Sequence, residues 1–415
     1  MKNILITLFS LVLFSGCVVN PTTNKQANGQ LDNRVPLQRL ISKSRFLDNG
    51  SSVRIYLSID PGRQLTNNEM MKEFAISYSI YPEYANRQTP LSTGNVVISS
   101  ENLTEDAGLY TVWFDVVKPK DLFVSVALTE IKDLKTNNRT VNDCFLRFQS
   151  GKSGDYFMFF DKSGTRPVAK NYFSVQDTVV LKSLDGRSQN FKVYRYKYEF
   201  EAAHSPMSTT PRTPSKSLYV DSSFTVSANS PIVLEQDALY FFTRDTTEAY
   251  GIGMVVTDKR FPKLTRPEKL ARPLIYMSTN AEATDLVTSK EPKRTLDNYW
   301  LNIMQGNQAT AKRTIKAFYQ RVEQANRLFT TYKEGWKTDK GMVYIIMGDP
   351  IKITRTKDKE VWTYSPPQVS EINFTFTKRS NQFADDHYEL QRYAEYQSIW
   401  FPTVERWRNG DVVMK

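Results

Sequence analysis

Two histidines, His204 and His387, and two cysteines, Cys17 and Cys144, are all the imidazole and thiol that this chain of 415 residues contains. A histidine-rich zinc site is thereby excluded, and a histidine-based nucleophilic triad would have to use one of just two rings. Carboxylates offer more. Glu334 and Asp339 stand close together in Glu334-Gly335-Trp336-Lys337-Thr338-Asp339-Lys340-Gly341, a polar turn beside aromatic residues. Such a pair could line a groove for a partner segment or act as acid and base on a glycosidic bond. The same residues also have a structural use. Gly335 and Gly341 allow unusual backbone angles, Thr338 and Asp339 accept hydrogen bonds from loose amides, and Trp336 pins the turn into a core. No GxSxG, HExxH or phosphate-loop motif occurs, nor a Cys-His pairing in familiar surroundings. No catalytic residue, metal or cofactor is therefore expected.

Cys17 is expected to react in a different way. Met1-Lys2-Asn3 is a short positive start, Ile4 to Phe14 is an apolar run, and Ser15-Gly16 places small residues before the cysteine. The run falls short of the roughly 20 apolar residues that cross a bilayer and fits a cleavable export signal. The segment resembles a lipobox, which implies a signal over residues 1–16 and a diacylglyceryl group on the Cys17 thiol. Acyl chains contribute about 0.8 kcal/mol per buried methylene, so two or three anchor a protein durably. If Cys17 carries lipid, no intramolecular disulfide can form, and Cys144 is expected to be a buried small hydrophobe. Residues 17–35 are polar, carry Pro and Gly, and read as a tether. Lipoproteins that Bacteroidota send to the cell exterior resemble one another in acidic residues just after the cysteine. Here none is charged before Lys25, so the expected location is the outer membrane, facing the periplasm.

The length suffices for two or three domains with their own cores. Aromatic residues make up 13%, which favours Tyr- and Phe-bearing strands. The formal charge of +11 is dispersed, without a basic run or basic residues interleaved with aromatics, so no nucleic-acid partner is expected. Strict alternation puts Val53, Ile55, Leu57 and Ile59 on one face after the Asn49-Gly50 turn, and recurs in Phe74, Ile76, Tyr78, Ile80 and in Leu122, Val124, Val126, Leu128. Leu109 to Val117 is a more continuous apolar strand. A second β unit is expected to begin near Cys144, with strands at Tyr156 to Phe160, Val179 to Leu181 and Phe191 to Tyr198 around an Asp185-Gly186 hairpin signal, then Ile232 to Leu234, Leu239 to Thr243 and Gly251 to Thr257. Ala203 to Ser217, with three prolines, reads as an exposed loop. The expected fold is mainly β: two tandem Ig-like β-sandwich domains over 36–140 and 141–290, followed by a small α+β domain over 291–415.

In that last domain the period changes. Leu296, Tyr299, Trp300 and Ile303 mark one helix, and Ile315, Phe318, Tyr319, Val322, Ala325 and Phe329 a longer one. Met342 to Met347 reads as an apolar strand closed by Gly348-Asp349-Pro350, with further strands at Val361 to Tyr364 and Ile372 to Thr377. Tyr319-Gln320-Arg321-Val322, Ala325-Asn326, Phe329, the Glu334 to Ile345 run, Gly348-Asp349-Pro350 and Trp362 closely resemble the GWxTD domain of lipoproteins from Bacteroidota, over roughly residues 295–378. Lys340-Gly341 stands where that family usually has Arg-Gly. The resemblance implies a lipoprotein signal and a β-rich amino-terminal part, and no reaction.

Tyr388 to Trp407 is dense in aromatics, and Pro402 interrupts it. Tyr393, Tyr396, Trp400 and Trp407 are either core or a docking surface, since aromatics dominate contact hot spots. These readings combine into one expectation: a lipoprotein held in the bilayer through acylated Cys17, contacting other envelope proteins as a non-catalytic scaffold or interaction subunit of an outer-membrane assembly for secretion or envelope biogenesis. The alternatives are a carbohydrate-binding module and a carboxylate-dependent hydrolase of cell-wall glycans.

Overall fold

Alternating apolar residues pair into sheets from the first strand onward. The computed structural model describes residues 40–84, 89–106, 108–197, 199–209, 218–365 and 371–412, all of them in one compact unit, Gln38–Lys415. The expected export signal over 1–16, Cys17 and the expected tether to residue 35 lie outside the described residues. The first strands are β1 (Ile41–Asn49), β2 (Ser52–Asp60), β3 (Phe74–Tyr81), β4 (Ser92–Val96), β5 (Leu103–Asp106), β6 (Leu109–Val117), β7 (Val124–Asp133) and β8 (Arg139–Arg147), with helix α1 (Asn67–Glu73) before β3. They form two antiparallel sheets, β1-β2-β6-β5 and β4-β3-β7-β8, which close over one core. Val53, Ile55, Leu57 and Ile59 meet Ile76, Ile80, Ala127 and Ile131 there.

Two expectations need correction. The face of β7 toward the first core carries Ser125, Ala127, Thr129 and Ile131; of the expected alternation Val126 is buried on the other face, whereas Val124 is exposed and Leu128 half-buried. A central strand carries apolar residues on both faces, so alternation does not say which one points inward. Strand β8, from Arg139 to Arg147, runs across the expected boundary at 140 and pairs with β7. Cys144 therefore belongs to the first core and does not open the second unit.

Next come β9 (Phe157–Phe160), β10 (Tyr172–Ser174), β11 (Thr178–Ser183), β12 (Asn190–Tyr196), β13 (Val220–Ser227), β14 (Pro231–Val233), β15 (Ala238–Thr243) and β16 (Ile252–Thr257). They build a five-stranded sheet, β10-β16-β15-β12-β13, and a three-stranded one, β14-β11-β9, around a second core that includes Phe159, Phe191 and Phe242. Asp185-Gly186 makes a turn with Gly186 at φ +68°, but not a hairpin. Strand β11 bonds to β9 and β14, whereas β12 bonds to β13 and β15. The turn carries the chain from one sheet to the other.

The carboxyl-terminal third holds α2 (Pro267–Ala271), α3 (Asn280–Thr288), α4 (Pro292–Ile303), α5 (Gln308–Phe329), α6 (Asp339–Met347), the antiparallel meander β17 (Lys352–Arg355), β18 (Lys359–Tyr364), β19 (Ile372–Lys378) and β20 (Tyr388–Leu390), and α7 (Gln397–Arg408). Helices α4 and α5 bury the aromatic stripes that the sequence marks out, with Phe318 edge-on to Trp300 at 5.8 Å and to Trp407 at 5.5 Å. Met342 to Met347 is helix, correcting the expected strand. An apolar run this short has no period of its own, and burial of Met342, Val343, Tyr344, Ile345 and Ile346 on all sides leaves no polar face to reveal a helical one. Among the described residues no helix is long and apolar enough to cross a membrane.

This third is stitched to the sheets before it. The Gly253 N–H donates to the Phe383 carbonyl at 3.1 Å, and a Cβ at position 253 would sit 2.4 Å from that oxygen. Phe383 is buried among Leu239 and Phe241 of β15. Asp385 takes salt bridges from Arg147 at 2.6 Å and Lys152 at 2.7 Å. Ala203, at the start of the proline-bearing loop, is buried in the helical core, and Pro206 in the same loop accepts the Tyr393 N–H.

Candidate functional site

The Glu334–Gly341 turn lies where α5 ends and α6 begins, and its residues are consumed in making that junction. Asn326, fully buried near the end of α5, donates to Pro262 O at 3.0 Å and accepts the Trp336 N–H at 3.0 Å. The Thr330 hydroxyl donates to Asn326 O at 2.6 Å and accepts the Gly335 N–H at 2.9 Å. Only glycine fits at two points: a Cβ on Gly335 would lie 2.0 Å from Ala325 O, and one on Gly341 would lie 1.9 Å from Gly335 O. Close backbone approach is thus the role of both glycines, which lets the turn lie flat against α5 and lets α6 start against the turn.

Thr338 is the N-cap of α6. Its hydroxyl accepts the Gly341 N–H at 3.0 Å and donates to Gly335 O at 2.7 Å, so one side chain ties the cap to the turn. Trp336 is buried, its indole donating to Glu334 Oε2 at 2.7 Å, while its carbonyl accepts from the Tyr276 hydroxyl at 2.8 Å. Glu334 also takes Lys337 Nζ at 3.1 Å. Asp339 is buried. One carboxylate oxygen accepts the Leu390 N–H at 2.7 Å and the other the Arg392 guanidinium at 2.6 Å, which clasps the start of α6 to the end of β20. Both carboxylates singled out in the sequence are therefore engaged by donors of the chain itself, and the six motif residues Glu334, Gly335, Trp336, Thr338, Asp339 and Gly341 form one brace.

Lys340 extends the brace. Its ammonium lies over the Tyr388 ring at 3.5 Å and reaches Glu360 Oε2 at 3.1 Å, and Arg355 Nε shares that oxygen at 3.2 Å. The Trp362 indole donates to the other oxygen at 2.6 Å. Burial pushes the Glu360 carboxyl up, but Lys340, Arg355 and Trp362 outweigh it and hold the group down at about 2. Nothing in the sequence pairs Glu360 with Lys340 on α6 and Arg355 on β17, so it was not singled out there.

The aromatic tail divides. Tyr396, Trp400 and Trp407 are buried, with Tyr396 stacked on Phe374 at 4.4 Å and the Trp407 indole bonded to Ile346 O at 3.1 Å. Core packing accounts for these three, and the reading of them as a docking surface is corrected accordingly. Tyr393 is 47% exposed and Phe401 57% exposed. Cys144 is buried, and burial pushes its thiol up to about 12, the environment of an inert thiol.

On its other side the brace walls a cavity of about 290 Å³ between β1 and β8 on one hand and the α5–α6 junction, β18 and Tyr388 on the other. A second space of about 280 Å³ adjoins it, and Lys43, Asp143, Thr331 and Tyr388 line both.

Compared with known proteins, residues 238–409 match the family model of the GWxTD domain. No curated protein matches the chain. The match opens at the first residue of β15, well before the stretch from 295 that carries the resemblance, and so takes in two strands of the preceding sheet.

Proposed function

We propose that this chain, which carries a GWxTD domain, is a lipoprotein of Bacteroidota that serves as a non-catalytic interaction subunit of an outer-membrane assembly, in secretion or envelope biogenesis, facing the periplasm. The observation that carries this reading is the internal commitment of the motif. Glu334 and Asp339 meet indole, ammonium, amide and guanidinium donors of their own chain, whereas a hydrolytic pair must be free to reach a glycosidic oxygen and a water. The domain is thus a rigid carrier, and contacts fall to surfaces elsewhere.

One end of the first sheet pair offers such a surface. Val117 and Phe123 flank the connection from β6 to β7 and are 78% and 69% exposed, with Val124 exposed beside them. Apolar side chains of this size grouped on one loop suit a partner surface better than water. Immunoglobulin-like sandwiches present binding loops at their ends in the same way, and the two sheet pairs are read as modules of that kind, held at the membrane by acylated Cys17.

The test is affinity capture from detergent-solubilised membranes, run on the native chain and on Phe123→Ser, with metabolic labelling by radioactive palmitate alongside. Defined envelope proteins should co-purify with the native chain and fall several-fold with Phe123→Ser, and the label should vanish in Cys17→Ser. A chain that takes up no palmitate, or that purifies alone, would overturn the reading.

A further inference from the structure

A strand at the rim of a sheet leaves backbone N–H and C=O groups unpaired along one side, and proteins keep such rims short, charged or covered. Most rims of this chain follow that rule. Strands β4, β5, β9, β10, β14, β17 and β20 are three to five residues long. Strands β1 and β8 are longer, but they lean on each other: the Ser44 hydroxyl donates to Asp143 O at 2.7 Å, and the Asn142 amide to the Ser42 hydroxyl at 3.3 Å. Strand β13 is the exception. It spans eight residues at the end of the five-stranded sheet, and among the described residues no strand but β12 pairs with it.

The usual protections of an edge are missing there. The strand has no Pro, Lys or Arg, and its one charge, Asp221, is held by Arg195 of β12 at 2.6 Å. A bulge at Asp221, where the register with β12 shifts, blunts only the first residues, and Ser222 to Ser227 runs on regularly. Ser223, Thr225 and Ser227 are exposed; Ser222, Phe224 and Val226 are half-buried, the last two against the second core. An open backbone, an uncharged stretch and apolar side chains whose burial is unfinished together make a template for an added strand.

The same side chains decide which strand. A charged partner segment finds no opposite charge free along Ser222 to Ser227, whereas the stretch complements itself. With a two-fold axis through Phe224, antiparallel pairing sets Phe224 opposite Phe224, Ser222 opposite Val226 and Ser223 opposite Thr225. Core-facing residues stay on the core side in both copies, as the pleat requires. No like charges meet, and an aromatic pair and two Ser–Thr pairs lie across the seam.

We propose that two copies of this chain associate through β13, edge to edge and antiparallel, joining their five-stranded sheets into one continuous sheet. This goes beyond the partner-binding reading, which uses the connection from β6 to β7, and it depends on no lipid.

Sedimentation equilibrium of the full chain in detergent tests the proposal, alongside the double variants Ser223→Lys/Thr225→Lys and Ser223→Glu/Thr225→Glu. Both positions are on the solvent face, so the variants should keep the native circular dichroism. The native chain should show a concentration-dependent dimer. Each variant should associate at least about tenfold more weakly, because like charges then stand opposite each other, and an equimolar mixture of the two should recover the dimer as Lys meets Glu. All the proteins share one amino terminus, so association driven by a lipid there would persist in every one of them. A native chain that stays monomeric, as it would if the edge received another protein's strand, would overturn the proposal. So would variants that associate as well as the native chain, or a mixture that associates no better than its parts.

Discussion

Glu360 shows what a single buried charge does here. Its carboxyl is held at about 2, against an ordinary 4.5, by Lys340, Arg355 and Trp362 working against burial. A group whose folded value is depressed contributes its stability in full above the unfolded value and loses it as pH falls through the folded one. The relevant window therefore runs from about pH 4.5 down to 2. Replacing Glu360 by Gln should cost roughly 3 kcal/mol at neutral pH, since each unit of depression corresponds to about 1.4 kcal/mol, and should leave Lys340 and Arg355 facing each other uncompensated. Urea unfolding as a function of pH measures this: the native chain should lose stability steeply across that window and the Gln variant much less. Equal acid slopes in the two proteins would show that Glu360 is not the group responsible.

At the scale of elements, the start of α6 hangs on one hydroxyl. Thr338→Ala removes the acceptor of the Gly341 N–H and the donor to Gly335 O together, so it should cost about 1 to 2 kcal/mol and speed hydrogen exchange at Gly341 and Met342 while the amides of β7 keep their protection. The same junction marks how far the sequence can be read. Gly335, Thr338 and Gly341 belong to local geometry, and their structural uses follow from residue type. The partners of Asp339 do not, because Leu390 and Arg392 come from a strand end fixed only by packing of the whole meander. Helix α6 was hidden for a related reason: Met342 to Ile346 are buried on every side, and complete burial erases the period that separates helix from strand. Strand β7 failed in the opposite direction, with a clear alternation that did not say which face is inward. On β2 the reading and the fold agree about Val53, Ile55, Leu57 and Ile59, although Tyr56 and Ser58 on its other face are buried as well. The aromatic tail was half legible, since composition leaves Tyr396, Trp400 and Trp407 open between core and docking surface and does not say that Tyr396 packs on Phe374 or that Trp407 meets Ile346 and Phe318.

For the whole molecule, the positive charge is spread over links between modules as well as over open surface. Arg147 and Lys152 meet Asp385, Arg355 reaches the Val141 carbonyl, and Arg327 reaches Asp60 at 3.5 Å. Each joins stretches remote in sequence, and the apolar seat of Phe383 on β15 adds to them. Gly253, whose missing side chain lets the Phe383 carbonyl come so near, fixes where evolution or a molecular biologist may cut. A fragment starting at 291 would leave Phe383 with an empty bed and a carbonyl with no donor, and it should come out of the cell insoluble or give poorly dispersed amide resonances; one starting at 149 keeps both and should stay in solution. Any transplant of the carboxyl-terminal third into another protein has to bring β15 and β16 along as part of the graft.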